Sequence, residues 1–170
     1  MPGRSLEAAE PGPGAVRPGR VPLHAGVGFR VGRVQRALRA AWAARIADLE
    51  LAPPQAVVLR ALAGHPGLGV RALARDIGTD PMNVKHVADA LEARGLVAST
   101  LDPLDRRTRC LRLSPRGQQL AAQVEERAQR HEEWLEGVLG EREYARLGRT
   151  LDSLERALEL AEVEEVGDGD

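Results

Sequence analysis

A mainly α-helical chain with one small β-hairpin is the fold class that the sequence predicts, and three observations predict it. Apolar residues recur at intervals of three and four over most of residues 27–163. Two short helical patterns meet at the glycine turn Gly78-Thr79. Directly after them, "LVAST" and "TRCLRL" read as strands joined by the turn-forming "DPLDRR".

The elements follow in order. Residues 1–25 hold five of the eleven prolines and no apolar period, which predicts a flexible tail. From there Val27, Val31, Val34, Leu38, Ala41, then Arg45 or Ile46, and Leu49 mark one stripe of an amphipathic first helix over about 28–49. Pro53 and Pro54 cannot continue it but suit the first turn of a second helix, which carries Val57, Val58, Leu59, Ala61 and Leu62 and should end by Gly64. A third helix over 69–77 turns Val70, Leu73, Ala74 and Ile77 inward and stops at Gly78. Asp80 then stands where an N-cap belongs and Pro81 takes the first helical position of a fourth helix, about 81–94. That helix should bury Val84, Val87, Ala88 and Leu91 and end at Gly95.

Strands over 96–100 and 108–113 come next, the second with Cys110 expected to face the core. Ser114 can cap a fifth helix that Pro115 opens and that runs to about 138, with Leu120, Ala121, Val124, Ala128, Trp134 and Leu135 inward. A last helix over 141–163 aligns Tyr144, Leu147, Leu151, Leu154, Leu158 and Ala161, a stripe that needs a partner surface.

With 170 residues, 43% of them hydrophobic, the chain suits one globular domain plus tails. Its apolar stretches break well before the roughly 20 residues that cross a bilayer, and "MPGRSLEAAEPGPG" lacks the apolar centre of a signal peptide, so no membrane partner and a cytoplasmic location are expected. One cysteine, Cys110, cannot close an intramolecular disulfide. The net charge of -1 hides a polarity along the chain. Residues 1–49 hold eight Arg against three acids, residues 70–116 hold nine Lys and Arg against six, and residues 117–170 hold six Arg against fifteen. The basic middle suits a polyanion. Phe29, Trp42, Trp134 and Tyr144 are scattered, so duplex DNA is expected before single strands that stack on aromatic platforms.

Helix-turn-helix followed at once by a hairpin is the winged-helix arrangement. Residues 51–120 resemble the core of the multiple-antibiotic-resistance regulator (MarR) family, and the specific parts are "LEARGLV" at 91–97, "DPLDRR" at 102–107 and "LRLSPRG" at 111–117. The resemblance implies a homodimer that represses transcription from a palindromic double-stranded operator and is often released by a small, frequently aromatic molecule. It implies a domain over 26–163 with its winged helix-turn-helix at 51–120 and dimerisation helices at 26–49 and 118–163; the Pro/Gly-rich tail over 1–25 lies outside it, and residues 164–170 read as an acidic tail. Val27, Val31, Tyr144, Leu147, Leu151, Leu154 and Leu158 are the candidate dimer residues.

The core stripe of the fourth helix leaves Pro81, Met82, Asn83, Lys85, His86 and Asp89 outside. Asn83 can pair bidentately with adenine, Lys85 can reach guanine or phosphate, and His86 can touch either. The small hydroxyl residues usual in the family at 82 and 83 are here Met82 and Asn83, so a base preference cannot be copied across. In the wing, the resemblance points to Arg107 as the side chain that enters a narrow minor groove. Arg106 is expected on a phosphate, and Asp105 orients one of the two arginines. Arg109 and Arg112, on the returning strand, are expected to serve local ion pairs. Helix starts that face DNA offer backbone N–H groups to phosphates, which adds the start of the second helix at Pro54 and Gln55, where Gln55 has the N–H, and that of the third at Gly69, Val70 and Arg71.

An effector pocket is expected between the first helix, the second helix and the start of the fifth, with Arg39, Trp42, Arg60 and His65 as candidates. No cofactor and no metal are expected. His24, His65, His86 and His131 show no ligand spacing, and "GVGFRVG" has glycine spacing one residue too long for a dinucleotide loop. No nucleophile, base and orienting residue assemble into a site, so an enzyme is not expected. The competing reading is a winged-helix dimer that serves as a protein-interaction or architectural module; it would not need the exposed set Asn83, Lys85 and Arg107.

Overall fold

The structure is a computed structural model and describes residues 22–101 and 109–167; for 159–167 it describes backbone alone. The chain separates into two compact units, 1–40 and 41–170. Six α-helices and one antiparallel hairpin appear among the described residues: α1 Val27–Arg45, α2 Pro53–Gly64, α3 Val70–Asp76, α4 Pro81–Ala93, β1 Val97–Leu101, β2 Arg109–Leu113, α5 Pro115–Leu139 and α6 Glu141–Gly167. The expected fold class is present.

α1 ends four residues earlier than the apolar stripe suggested, because the chain tightens into a 3-10 turn at Ala47–Leu49 and Glu50 takes a left-handed conformation at φ 53°. A non-glycine residue at positive φ breaks the helical path. Proline opens α2, α4 and α5, where the missing N–H costs no intrahelical bond. Gly78 and Gly95 follow α3 and α4 at φ 62° and 68°, conformations that a side chain disfavours.

The core lies in the second unit. Val58, Leu59 and Leu62 of α2, Leu73 of α3, Val84, Ala88 and Leu91 of α4, Leu96 before β1, Leu111 of β2 and Val124 of α5 are buried together, with Ile46 beneath them. Fully burying one such side chain stabilises a fold by about 1.5–3 kcal/mol, so this cluster, not helix propensity, fixes the helix-turn-helix.

The hairpin pairs Val97 with Leu113 through Leu101 with Arg109. A third extended segment joins its other edge: Gly67 N–H donates to the Leu111 carbonyl and Leu111 N–H to that of Leu68, both at 3.0 Å, and Gly69 bridges Cys110. "PGLG" carries no alternating pattern, and only the structure reveals this strand-like role. Two expectations need correction. Strand alternation puts Cys110 on the face opposite buried Leu111, where it is half-buried rather than in the core. Trp134, expected inward, is 44% exposed, with its ring against His131 and the Arg45 guanidinium rather than in the core.

The start of α5 is fixed by contacts that explain "SPRG". Ser114 Oγ accepts from Gly117 N–H at 3.0 Å and donates to the Gly95 carbonyl at 2.7 Å, while Ser114 N–H donates to the Leu96 carbonyl at 3.0 Å. A Cβ at Gly117 would overlap that same Leu96 carbonyl oxygen. Glycine is therefore required by close approach, at an ordinary helical conformation.

Candidate nucleic-acid interface

The interface is built from α4 outward. Val84, Ala88 and Leu91 bury one side of the helix, and at 3.6 residues per turn the opposite side presents Met82, His86 and Asp89, with Lys85 on one flank and Asn83 on the other. Met82 is 62% exposed, although it is one of the larger apolar side chains in the chain. Asp80 Oδ1 accepts from Met82 N–H at 2.7 Å and from Asn83 N–H at 3.3 Å. That N-cap fixes the first turn, and it also occupies donors that a helix start would otherwise offer to phosphate. The side chains of Met82, Asn83 and His86 remain exposed at this end.

Lys85 Nζ donates to Asp89 Oδ2 at 2.6 Å across one helical turn, with both side chains about half exposed. The Asp89 carboxyl is held below the usual carboxylate range chiefly by the Lys85 hydrogen bond, which outweighs the opposing loss of hydration, with further help from the charges of Lys85, Arg109 and His86.

Glu92, one turn further along α4, joins the helix to the hairpin. It accepts from Ser99 N–H at 2.9 Å and from Arg109 at 3.2 Å, and Arg109 also donates to Ser99 Oγ. The sequence reading gave Arg109 a local ion pair and missed Glu92. An acid one turn before the strand and an arginine on its partner were the available signals. Asp105, Arg106 and Arg107 lie outside the described residues.

Of the helix-start candidates, Arg71 is exposed on α3. Pro54 is exposed in the first turn of α2, whereas Gln55 Oε1 accepts from the Ala52 N–H at 3.0 Å and from Arg94 at 3.5 Å. The structure thus gives Gln55 a capping duty.

The effector candidates have different neighbours. Arg60 pairs with Glu125 at 2.8 Å and holds that carboxyl below its usual range, chiefly by hydrogen bonding. His65 Nδ1 lies 3.7 Å from Asp76, and Arg39 is exposed on α1. Trp42 belongs to a cluster that the sequence did not reveal. His131, 8% exposed, stacks on Trp134 with ring centres 5.5 Å apart and meets Trp42 at 5.8 Å, while the Arg45 guanidinium covers the Trp134 ring at 4.4 Å. His131 Nδ1 is buried without a hydrogen-bond partner among the described residues. Burial, then the nearby Arg45 charge, pushes the imidazole's proton affinity down, against a weaker opposing pull from Glu132.

The candidate dimer residues are open to solvent. Val27 and Val31 are exposed on α1, and Leu147, Leu151, Leu154 and Leu158 on α6. Tyr144 is half-buried, and its hydroxyl donates to Glu132 at 2.6 Å, which raises the phenol's pKa. No described group of acids, histidines and cysteine could hold a metal ion, and no described helix is long and apolar enough to cross a membrane.

Comparison with known proteins supplies independent evidence. A family model described as MarR family matches residues 51–108. A protein of Thauera aromatica assigned as a transcriptional regulatory protein for the hcr operon is 31% identical over 131 residues, which cover 76% of this chain and 79% of that one. The transcriptional repressor CouR bound to a 23-mer DNA duplex is 30% identical with a TM-score of 0.71, over 76% of this chain and 92% of that one. The PcaV transcriptional regulator of Streptomyces coelicolor, solved with its natural ligand, is 29% identical with a TM-score of 0.72, over 84% of this chain and 98% of that one.

Proposed function

The chain belongs to the MarR family of transcriptional regulators, and from that premise we propose that it is a homodimeric repressor which binds a palindromic operator and is released by a small aromatic effector. The observation that carries the reading is α4: a capped helix whose buried side is anchored in the core and whose open side offers Met82, Asn83 and His86. These are side chains that read base edges, by methyl contact, by bidentate pairing with adenine and by single hydrogen bonds. The likeness to a repressor solved on a DNA duplex supports it. In this reading Pro81, Lys85 and Arg71 border the contact, and the wing residues Asp105, Arg106 and Arg107 carry the minor-groove arm.

The exposed leucines of α6 and valines of α1 support self-association, since each leucine fully withdrawn from water contributes about 1.5–3 kcal/mol. Two α4 helices would then enter major grooves about one helical turn apart. For the effector we favour the Trp42, His131 and Trp134 cluster with Arg45 beside it, because flat rings and a cation suit an aromatic acid. Arg60 and His65 already face Glu125 and Asp76. The PcaV structure with its natural ligand supports an effector in general terms. Effector binding would act by population shift, favouring a dimer whose α4 helices no longer match both half-sites.

A gel-shift titration on DNA upstream of the chain's own coding sequence tests the reading. Specific affinity should exceed that for random duplex by about a thousand-fold or more, and an aromatic acid that quenches tryptophan fluorescence should release the complex. Equal affinity for both duplexes would sink the proposal.

A further inference from the structure

A reading helix is expected to welcome phosphate, yet the open face of α4 carries a carboxylate. Lys85 is the only Lys or Arg within α4, and the only lysine in the chain. Its ammonium is held by Asp89 at 2.6 Å, so the helix face bears no net formal charge when His86 is neutral. Asp89 lies about 130° round the helix from the buried Val84, Ala88 and Leu91, and Lys85 about 90°; with their side chains 44% and 54% exposed, the pair sits at the border of the open face.

We propose that Asp89 is a specificity-determining residue: by holding Lys85 it withholds the reading helix's formal cation from the phosphates of random DNA, so that discrimination rests on base contacts. The inference rests on the reading of α4 as the DNA-binding helix. Binding to random duplex is almost wholly a matter of cations displacing counterions from phosphates, whereas the operator adds base contacts that need no net charge. A carboxylate beside the lysine subtracts from the first term in every register and leaves the second intact. Asp89 also lies close enough to Arg109 and His86 to be influenced by their charges, so its effect extends beyond one lysine.

The test compares the full-length chain with its Asp89→Asn, Lys85→Ala and doubly substituted variants. Each is titrated over a range of salt against an upstream duplex that the parent protein prefers and against a scrambled duplex of the same composition. Asp89→Asn should raise affinity for the scrambled duplex about three- to ten-fold and steepen its logarithmic salt slope by about 0.9 per freed contact. Affinity for the preferred duplex should rise less, so that the ratio between the two falls. Lys85→Ala alone should leave the scrambled-duplex slope unchanged, and adding it to Asp89→Asn should restore the parent slope.

Unchanged scrambled-duplex binding in Asp89→Asn, with the parent still selective, overturns this inference alone. So does a loss confined to one G·C pair of the preferred duplex, which would make Asp89 an acceptor for cytosine. A slope that stays steep in the double variant removes Lys85 from the account and overturns it as stated. A parent protein with no preference for any duplex removes the DNA-binding reading of α4 and this inference with it. Thermal melts of all four proteins confirm that the compared chains are folded.

Discussion

Asn83 stands on the flank of α4, where Asp80 holds its backbone N–H and its side chain is exposed; in the proposed reading that amide pairs with a base. Asn83→Ala should relax preference at one base pair by about 1–3 kcal/mol while changing affinity for random duplex little; equal losses on both would give it a structural role only. His131 makes a prediction of a different kind. An unfolded histidine takes up a proton near about pH 6.5, whereas burial and Arg45 delay that uptake in the fold to lower pH. Between the two values the unfolded chain binds more protons. Stability should therefore be complete above about pH 6.5, fall as pH drops towards the lowered value, and level off below it as far as this residue is concerned. Melting temperatures recorded from about pH 8 to about pH 5 should show this slope, and His131→Phe should flatten it. An identical slope in the variant would assign the pH dependence to other groups. Residue roles were legible where one local rule decides them: Asp80 and Pro81 announce a helix start from their order alone. The His131 cluster was not, because Trp42 lies far from His131 and Trp134 in sequence and reaches His131 only where α5 meets the end of α1.

At the scale of elements, the join between β1 and α5 is the tightest constraint. Gly117→Ala must displace the Leu96 carbonyl or the start of α5, because the atom in the way is backbone rather than a flexible side chain. The expected cost is about 1–3 kcal/mol or more, read as a lower urea midpoint. Ser114→Ala removes an N-cap and should cost about 1 kcal/mol, within a range of about 0.5–2. A Gly117→Ala protein as stable as the parent would contradict this account of "SPRG". The helices were legible because glycine, proline and capping residues mark nearly every end. The third extended segment at Gly67–Gly69 was not, since its pairing with Leu111 uses backbone groups that leave no side-chain pattern. The hairpin itself was legible, and Glu92 was the missed link that ties it to α4. For the wing beyond those strands the expectation stands on sequence: Arg107→Ala should weaken binding and flatten the salt slope by roughly one contact.

For the whole molecule, the exposed stripe Leu147, Leu151, Leu154 and Leu158 is the feature that one chain leaves unfinished. Replacing Leu151 and Leu154 together by Glu should turn a dimer into a monomer in sedimentation experiments and cost most of the operator affinity, since one α4 would then read one half-site. A variant that stays dimeric would move the interface elsewhere. The family was legible from three short motifs because their spacing records the geometry of α4, the hairpin and the start of α5. Base preference was less so, since Met82 and Asn83 replace the residues on which a transferred preference would depend. The central claim, that this chain reads duplex sequence through α4, is tested most directly by selecting bound duplexes from a randomised pool with the parent protein and Asn83→Ala in parallel. The parent should enrich a palindrome with half-sites about one helical turn apart, and the variant should lose discrimination at one symmetric pair of positions. A pool that remains random after repeated selection with the folded parent protein would contradict it.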